Sequence, residues 1–386
     1  LGLVGSEMCI RDSLNILFIL LTFLISVFIA RMLIPRILLI SMRKKLFDIP
    51  DARKIHKKAI PRLGGVSFFP TVLFTYCLVY TFRLLLGCEL TSLYTSYLLP
   101  EMLLFACGMT LLYLTGIADD LVGVRYRQKF VIQIFCACLF PLSGLWINNL
   151  YGLFGIHELA PYIGMPFTVF TVVFITNAIN LIDGIDGLAS GLSSVALLIF
   201  TFLFVEKGLW SYAMLAAGTF GVLVPFFYYN VFGSAERARK IFMGDTGSLT
   251  LGYTLSFLAI KYSQVNPNVM PYTEGAFVIA FSTLIIPSFD VIRVILVRVR
   301  NGKSPFEPDK NHIHHKLLAI GLSPRKAMIS LLGMSCAFSA INILLMPYVN
   351  NTIMLIVDIV VWIGLNLWWD RLRDTFDEVD ADYEKC

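Results

Sequence analysis

Long apolar runs alternate with short polar connections along almost the whole chain. A helix needs about 20 mostly apolar residues to cross a bilayer. By that measure the sequence predicts spans near 14–40, 66–86, 100–118, 130–147, 166–182, 188–205, 211–231, 243–262, 276–297, 326–347 and 352–369. The expected fold is all-α: a polytopic membrane protein of about eleven transmembrane helices. Residues 1–13 read as a leader outside this fold, 14–369 as one membrane domain and 370–386 as a cytoplasmic tail. The fifth span is short and ends in a polar motif, which already marks it as unusual.

The basic residues give the bundle a sidedness. Between the predicted spans and after the last, the odd-numbered connections hold twenty-three Lys and Arg, whereas the even-numbered ones hold only Lys207. Cytoplasmic loops carry the Lys/Arg excess. The N-terminus is therefore expected outside and the C-terminus in the cytoplasm, as an odd number of spans requires. Composition agrees. Of 386 residues, 57% are hydrophobic and 15% charged, whereas a soluble domain carries about 25% charged residues. The net charge of +5 lies in loops on one membrane side, so it needs no nucleic acid to explain it. The bilayer is the partner that it implies. Most of the eight cysteines sit in apolar runs, and no CxxC pair or zinc spacing occurs. They read as small packing residues.

Five polar motif groups lie in or beside the connections placed inside. The first is Arg53-Lys54-Ile55-His56 followed by Pro61-Arg62-Leu63-Gly64-Gly65. Juxtamembrane basic residues commonly bind anionic lipid heads. Gly64 and Gly65 open a helix, however, and bare amides at a helix N-terminus suit an anion. The second is Asp119-Asp120 with Arg125, Arg127, Gln128 and Lys129. Carboxylates ending a membrane span are expensive to place there. Beside cations they suit a magnesium–diphosphate site, the carboxylates holding the metal and the cations the phosphates.

The third runs Asn177-Ala-Ile-Asn180-Leu-Ile-Asp183-Gly-Ile-Asp186-Gly187. Helical spacing puts Asn177, Asn180 and Asp183 on one stripe, which must line a cavity rather than face lipid. Gly184 and Gly187 let the chain turn there. The fourth is Phe242-Met243-Gly244-Asp245-Thr246-Gly247-Ser248. Asp245 could be an N-cap, but with two other Asp clusters on the same side metal coordination is the better reading. The fifth is Pro308-Asp309-Lys310-Asn311-His312-Ile313-His314-His315-Lys316. Zinc is the rival for three clustered histidines, yet no cysteine joins them, and imidazole and ammonium donors bind phosphate.

DD at a cytosolic helix end, NxxNxxDGxDG, FMGDxGS and a late HxHH loop, in that order from about Lys44 to Lys316, resemble the polyprenyl-phosphate N-acetylhexosamine-1-phosphate transferases. PDKNHIHHKLL looks like the bacterial undecaprenyl-phosphate N-acetylglucosamine-1-phosphate transferases. It is unlike the HHHFE expected of the muramoyl-pentapeptide transferases. The resemblance implies UDP-N-acetylhexosamine and undecaprenyl phosphate as substrates and magnesium as cofactor, with manganese as an alternative. It also implies a site on the cytoplasmic face of a bacterial inner membrane, and a role in cell-wall or lipopolysaccharide glycan synthesis. By position, Asp245 would bind the metal with Asn180 and Asp120. Asp119, Asp120, Lys129, Asp183 and Asp186 would serve catalysis. Asn177, Asn180, His312, His314, His315, Arg53, Gly64 and Gly65 would bind substrate. A transporter is the rival from another class, since intramembrane Asp and Asn can line an ion path. The acids gather at one face, however, not near the midplane where transport sites lie.

Overall fold

A computed structural model describes residues 2–48, 60–88, 92–304 and 311–383. The chain is mostly helical: α1 (Gly2–Arg43), α2 (Phe68–Leu85), α3 (Ser92–Val122), α4 (Tyr126–Leu142), α5 (Pro161–Ile182), α6 (Leu188–Glu206), α7 (Trp210–Val231), α8 (Gly244–Ser263), α9 (Ala276–Ser282), α10 (Ile285–Arg300), α11 (Ile313–Ala319), α12 (Pro324–Leu345) and α13 (Asn351–Tyr383). A 3-10 turn, Leu63–Ser67, leads into α2. Two short antiparallel hairpins complete the fold: β1 (Phe47–Asp48) with β2 (Ile60–Pro61), and β3 (Asn149–Leu153) with β4 (Ile156–Glu158).

Every apolar run read from the sequence contains a helix, but the runs are not equivalent. Among the described residues, eight helices are long and apolar enough to cross a membrane, or nine if the bent pair α9–α10 forms one span. That pair was expected as one continuous segment, and instead it bends by 79°. α4 is short, at 17 residues. α8 is polar for a span, carrying Asp245, Lys261 and many hydroxyls. The reason is position. Every residue from Thr246 to Ser263 is buried, with α3, α5 and the 3-10 turn packed around the helix. A helix shielded by other helices needs no lipid-compatible surface. The outer helices do, and they expose Phe28, Phe74, Leu85 and Phe202.

α1 begins at Gly2, so the backbone of residues 2–13 is helical and continuous with the first predicted span. α13 runs to Tyr383, carrying most of the expected tail as helix.

At the end of α8 far from Asp245, the Lys261 ammonium pairs with Glu101 of α3 at 2.7 Å. The Tyr212 hydroxyl of α7 donates to the other oxygen of Glu101 at 2.5 Å. Lys261 and Glu101 are both buried. Removing one partner leaves an uncompensated charge, which costs about 3–5 kcal/mol, whereas replacing both can be nearly neutral. Lys261→Met alone should therefore lower the thermal unfolding midpoint sharply in detergent. The double variant Glu101→Gln, Lys261→Met should recover most of that loss.

Candidate active site

The start of α8 organises the site. Gly244 has φ +72°, and a Cβ there would sit 2.6 Å from both Asp120 oxygens and overlap the Arg62 carbonyl. Only glycine lets the chain enter α8 this close to α3. The gap is filled by the Asp120 carboxylate, which accepts from the Asp245 amide at 2.8 Å, the Thr246 amide at 3.0 Å and the Thr246 hydroxyl at 2.6 Å. Asp120 thus caps α8 from another helix, satisfying amides that would otherwise have no partner. Asp120, expected among the metal ligands, therefore has most of its acceptor positions taken by the start of α8 and fixes where Asp245 stands.

Asp245 is the meeting point. Lys129, in the first turn of α4, reaches Asp245 at 2.5 Å and Asp119 at 3.1 Å. Asp119 also accepts from the Val124 amide at 2.6 Å, which holds the α3–α4 turn. Asn180 donates to Asp245 at 3.2 Å and to the Ser248 hydroxyl at 2.8 Å. Thus α3, α4, α5 and α8 each send a side chain to one place. Asn177 stands one turn further from it. Its amide donates to Gln133 of α4 at 2.6 Å and ties α5 to α4.

Asp183 ends α5 and accepts no hydrogen bond among the described residues. Burial, then the nearby Asp245, Asp186 and Asp120 carboxylates, pushes its pKa up to about 7. Asp186 pairs with Lys240 at 2.5 Å. The turn between them is pinned by Asn230, whose side chain accepts from the Gly187 amide at 2.6 Å and donates to the Ile241 carbonyl at 2.9 Å. Gly187 has φ +78°, as this turn requires.

The third and fifth motifs meet here. A Cβ on Gly184 would overlap the His314 ring. His314 is 1% exposed, and its Nδ1 is buried without a partner. Burial and the neighbouring His315 lower its pKa from 6.5 to about 3. The His314 imidazole, expected among the substrate-binding groups, is thus enclosed against Gly184. Because the folded protein resists protonating His314, the unfolded chain takes up that proton first, below about pH 6.5. Stability should therefore fall as pH drops from 7 toward 4. His314→Asn should flatten the fall in thermal midpoint between pH 7 and pH 5. His312 is mostly buried and His315 partly exposed. The His314 and His315 ring centroids are 4.3 Å apart.

The glycine pair departs from expectation. The Gly64 amide donates to the Phe242 carbonyl at 2.9 Å and the Gly65 amide to Met243 at 2.8 Å. Those amides are not free for an anion. The pair instead lets the 3-10 turn lie flat on the start of α8, where a Cβ on Gly65 would overlap Gly247. Arg53 lies outside the described residues.

Among the described residues no three Asp, Glu, His or Cys side chains stand in ready-made ligand geometry. The donors nonetheless fit a hard divalent cation. Asp119 and Asp245 already converge on one positive charge, that of Lys129. Asp183, where burial and the nearby carboxylates outweigh the opposing pull of Arg62, has a raised proton affinity that a further cation would relieve.

Residues that the sequence did not single out also serve the site. Lys240 neutralises Asp186, Asn230 fixes the turn, and Asp290 of α10 holds His312 at 2.8 Å. Asp290 had a signal in the sequence, because an acid inside an apolar span is rarely idle.

Residues 102–263 match the model of glycosyl transferase family 4, a stretch that holds Asp119, Asp120, Lys129, Asn180, Asp183 and Asp245. The chain is 33% identical over 329 residues to a probable undecaprenyl-phosphate N-acetylglucosaminyl 1-phosphate transferase of Bacillus subtilis (strain 168), covering 84% of each chain. Undecaprenyl-phosphate alpha-N-acetylglucosaminyl 1-phosphate transferases of Yersinia pestis and Escherichia coli (strain K12) are 31% and 29% identical, covering 75% and 79% of this chain and 74% and 78% of theirs. With an acidic site of this kind inside the matched stretch, and relatives of this similarity along most of its length, the chain belongs to glycosyl transferase family 4.

Proposed function

We propose that the protein transfers N-acetylglucosamine-1-phosphate from UDP-N-acetylglucosamine to undecaprenyl phosphate, releasing UMP. This would be a first membrane step of cell-surface glycan synthesis. The observation that carries the reading is the convergence of Asp119 and Asp245 on Lys129, with the raised proton affinity of Asp183 near Asp245. Two phosphate-bearing substrates bring several negative charges together, so their site needs cations and the carboxylates that hold them. The relatives' names supply the sugar and the lipid.

The membrane arrangement follows from the charge alternation. We place eleven crossings, counting α4, α8 and the bent α9–α10 pair, with the N-terminus outside and the C-terminus in the cytoplasm. The site then lies at the cytoplasmic face of a bacterial inner membrane. The lipid tail stays in the bilayer while its phosphate reaches Asp245.

Asp245 and Asn180 would hold magnesium, or manganese in its place, with Asp119 and Asp183 beside them. The ion supplies charge neutralisation on the diphosphate. Asp120 holds Asp245 in register through the α8 amides. Lys129 stands where it can meet phosphate oxygen as charge grows on the leaving UMP. Lys240 holds Asp186 near the nucleotide sugar, and His312 and His315 would contact the diphosphate. Catalysis of such transfers rests mainly on positioning and charge neutralisation.

No general base is required. A phosphate monoester has a second pKa near 6, so the lipid phosphate is largely dianionic at pH 7 and is already a nucleophile. Asp119→Asn should therefore lose activity to the same extent at pH 7 and pH 9. Rescue at pH 9 would assign Asp119 as the base instead.

The reading is tested by incubating purified protein with undecaprenyl phosphate, magnesium and one donor at a time, and measuring UMP. Release from UDP-N-acetylglucosamine that requires the lipid supports it. Release only from UDP-N-acetylgalactosamine or the muramoyl-pentapeptide donor would keep the reaction and change the sugar. No UMP from any donor, with folded protein, would favour a transporter.

A further inference from the structure

α10 carries a carboxylate that the reaction scheme does not use. Asp290 is fully buried, yet every partner it has serves the HxHH segment directly or through Arg293. One oxygen accepts from the Ile313 amide at 2.9 Å and from Arg293 at 2.9 Å. The other meets Nδ1 of His312 at 2.8 Å. Arg293 in turn donates to the Asn311 carbonyl. Asp290 and Arg293 are three residues apart on one helix face, and together they grip residues 311–313.

The grip replaces what the segment lacks locally. His312 is the N-cap position of α11 and makes no side-chain cap bond. The first turn of α11 therefore depends on Asp290 for one of its amides. The bend at Thr283–Leu284 matters too, because it sets the direction in which α10 presents Asp290.

A carboxylate against Nδ1 also decides the chemistry of the other ring nitrogen. A buried carboxylate that accepts from Arg293 and a backbone amide is held as an acceptor, so the Nδ1 proton stays on His312. Nε2 is then the reactive nitrogen. It has no hydrogen-bond partner among the described residues. When the ring takes up a second proton, Nε2–H becomes a donor whose positive charge Asp290 compensates. Such partners of a histidine fix its ring orientation and proton placement.

We propose that Asp290 is a positioning residue for the transfer reaction: it sets the orientation and proton placement of His312 so that Nε2 faces a phosphate oxygen of the substrate. This rests on the reading that His312 contacts the diphosphate.

A double-mutant cycle separates this role from simple capping of α11. UMP release is measured for wild type, Asp290→Asn, His312→Gln and the double variant, with size-exclusion profile and thermal midpoint recorded for each. Asp290→Asn should lower kcat about 10–100-fold. In the His312→Gln background the same change should have less than about a threefold effect, because residues acting as one unit are not additive. Asp290→Glu, which keeps the charge, should recover part of the rate and serves in the cycle if Asp290→Asn does not fold. An equal loss in both backgrounds would overturn the proposal and leave Asp290 as a cap alone. A His312→Gln variant with wild-type activity would instead remove the reading of the histidine loop on which it stands.

Discussion

Asp245→Asn should reduce UMP release by roughly 10³-fold or more while leaving the fold intact. The side chain is nearly isosteric, so packing around the start of α8 changes little. Its charge is what the site uses. Asp245 is the one group that Lys129 of α4 and Asn180 of α5 both reach, and its own backbone is fixed by Asp120 of α3. An amide in its place leaves Lys129 paired with Asp119 alone and removes one of the two anionic donors that converge there. The loss should fall on kcat, and raising magnesium should not restore it. A loss confined to KM for the nucleotide sugar would show that Asp245 only binds substrate. The control is the thermal midpoint, which should shift by no more than a few degrees.

The second large effect is on folding, and it comes from one hydrogen atom. Gly244→Ala should destabilise the protein by about 3 kcal/mol, with activity lost in parallel. Two causes combine. φ is +72° there, a conformation that costs a residue with a Cβ about 1–2 kcal/mol. The added methyl would also press on the Asp120 carboxylate and the Arg62 carbonyl, and overpacking of this kind costs about 1–3 kcal/mol. Neither neighbour can yield freely, since Asp120 is held by three hydrogen bonds. Gly302→Ala is the matched control. Its φ is also positive, at +67°, but nothing lies within 4 Å of the added atom. It should show the conformational cost alone and retain activity. Equal destabilisation in the two variants, by thermal unfolding in detergent, would show that the close approach to Asp120 matters little.

These two residues mark what could and could not be read in advance. The acidic clusters were legible because acids near an apolar span have few uses other than chemistry. Asp119, Lys129, Asn180 and Asp245 do meet, although four helices deliver them. Asp120 stands beside Asp119 in the sequence, and both were expected to serve catalysis, but adjacent residues on a helix face different directions. One faces Lys129 and the other caps α8. The glycine pair at 64–65 was misread for a related reason. Glycine signals that something approaches the backbone closely, not what approaches, and here it is Gly247 rather than a phosphate. His314 was counted with its neighbours because spacing cannot reveal burial.

The helices were legible from hydropathy, with one instructive failure. The segment 276–297 read as one uniform span, and its bend was invisible. Asp290, in α10 beyond that bend, was an acid inside an apolar span and could have been singled out on that ground. α8 shows the opposite case. Its segment, 243–262, was read as a span by apolarity, yet the helix there carries Asp245, Lys261 and many hydroxyls.

The most direct test of the central claim follows the phosphorus. Donor UDP-N-acetylglucosamine carrying ³²P in its β-phosphate is incubated with the protein, undecaprenyl phosphate and magnesium, and the lipid and aqueous phases are separated. The account predicts the label in the lipid phase, attached through a diphosphate to the sugar, with unlabelled UMP in water. Label remaining in water as UDP, with sugar on the lipid, would mean that the bond broken is the glycosidic one, and it would contradict the account.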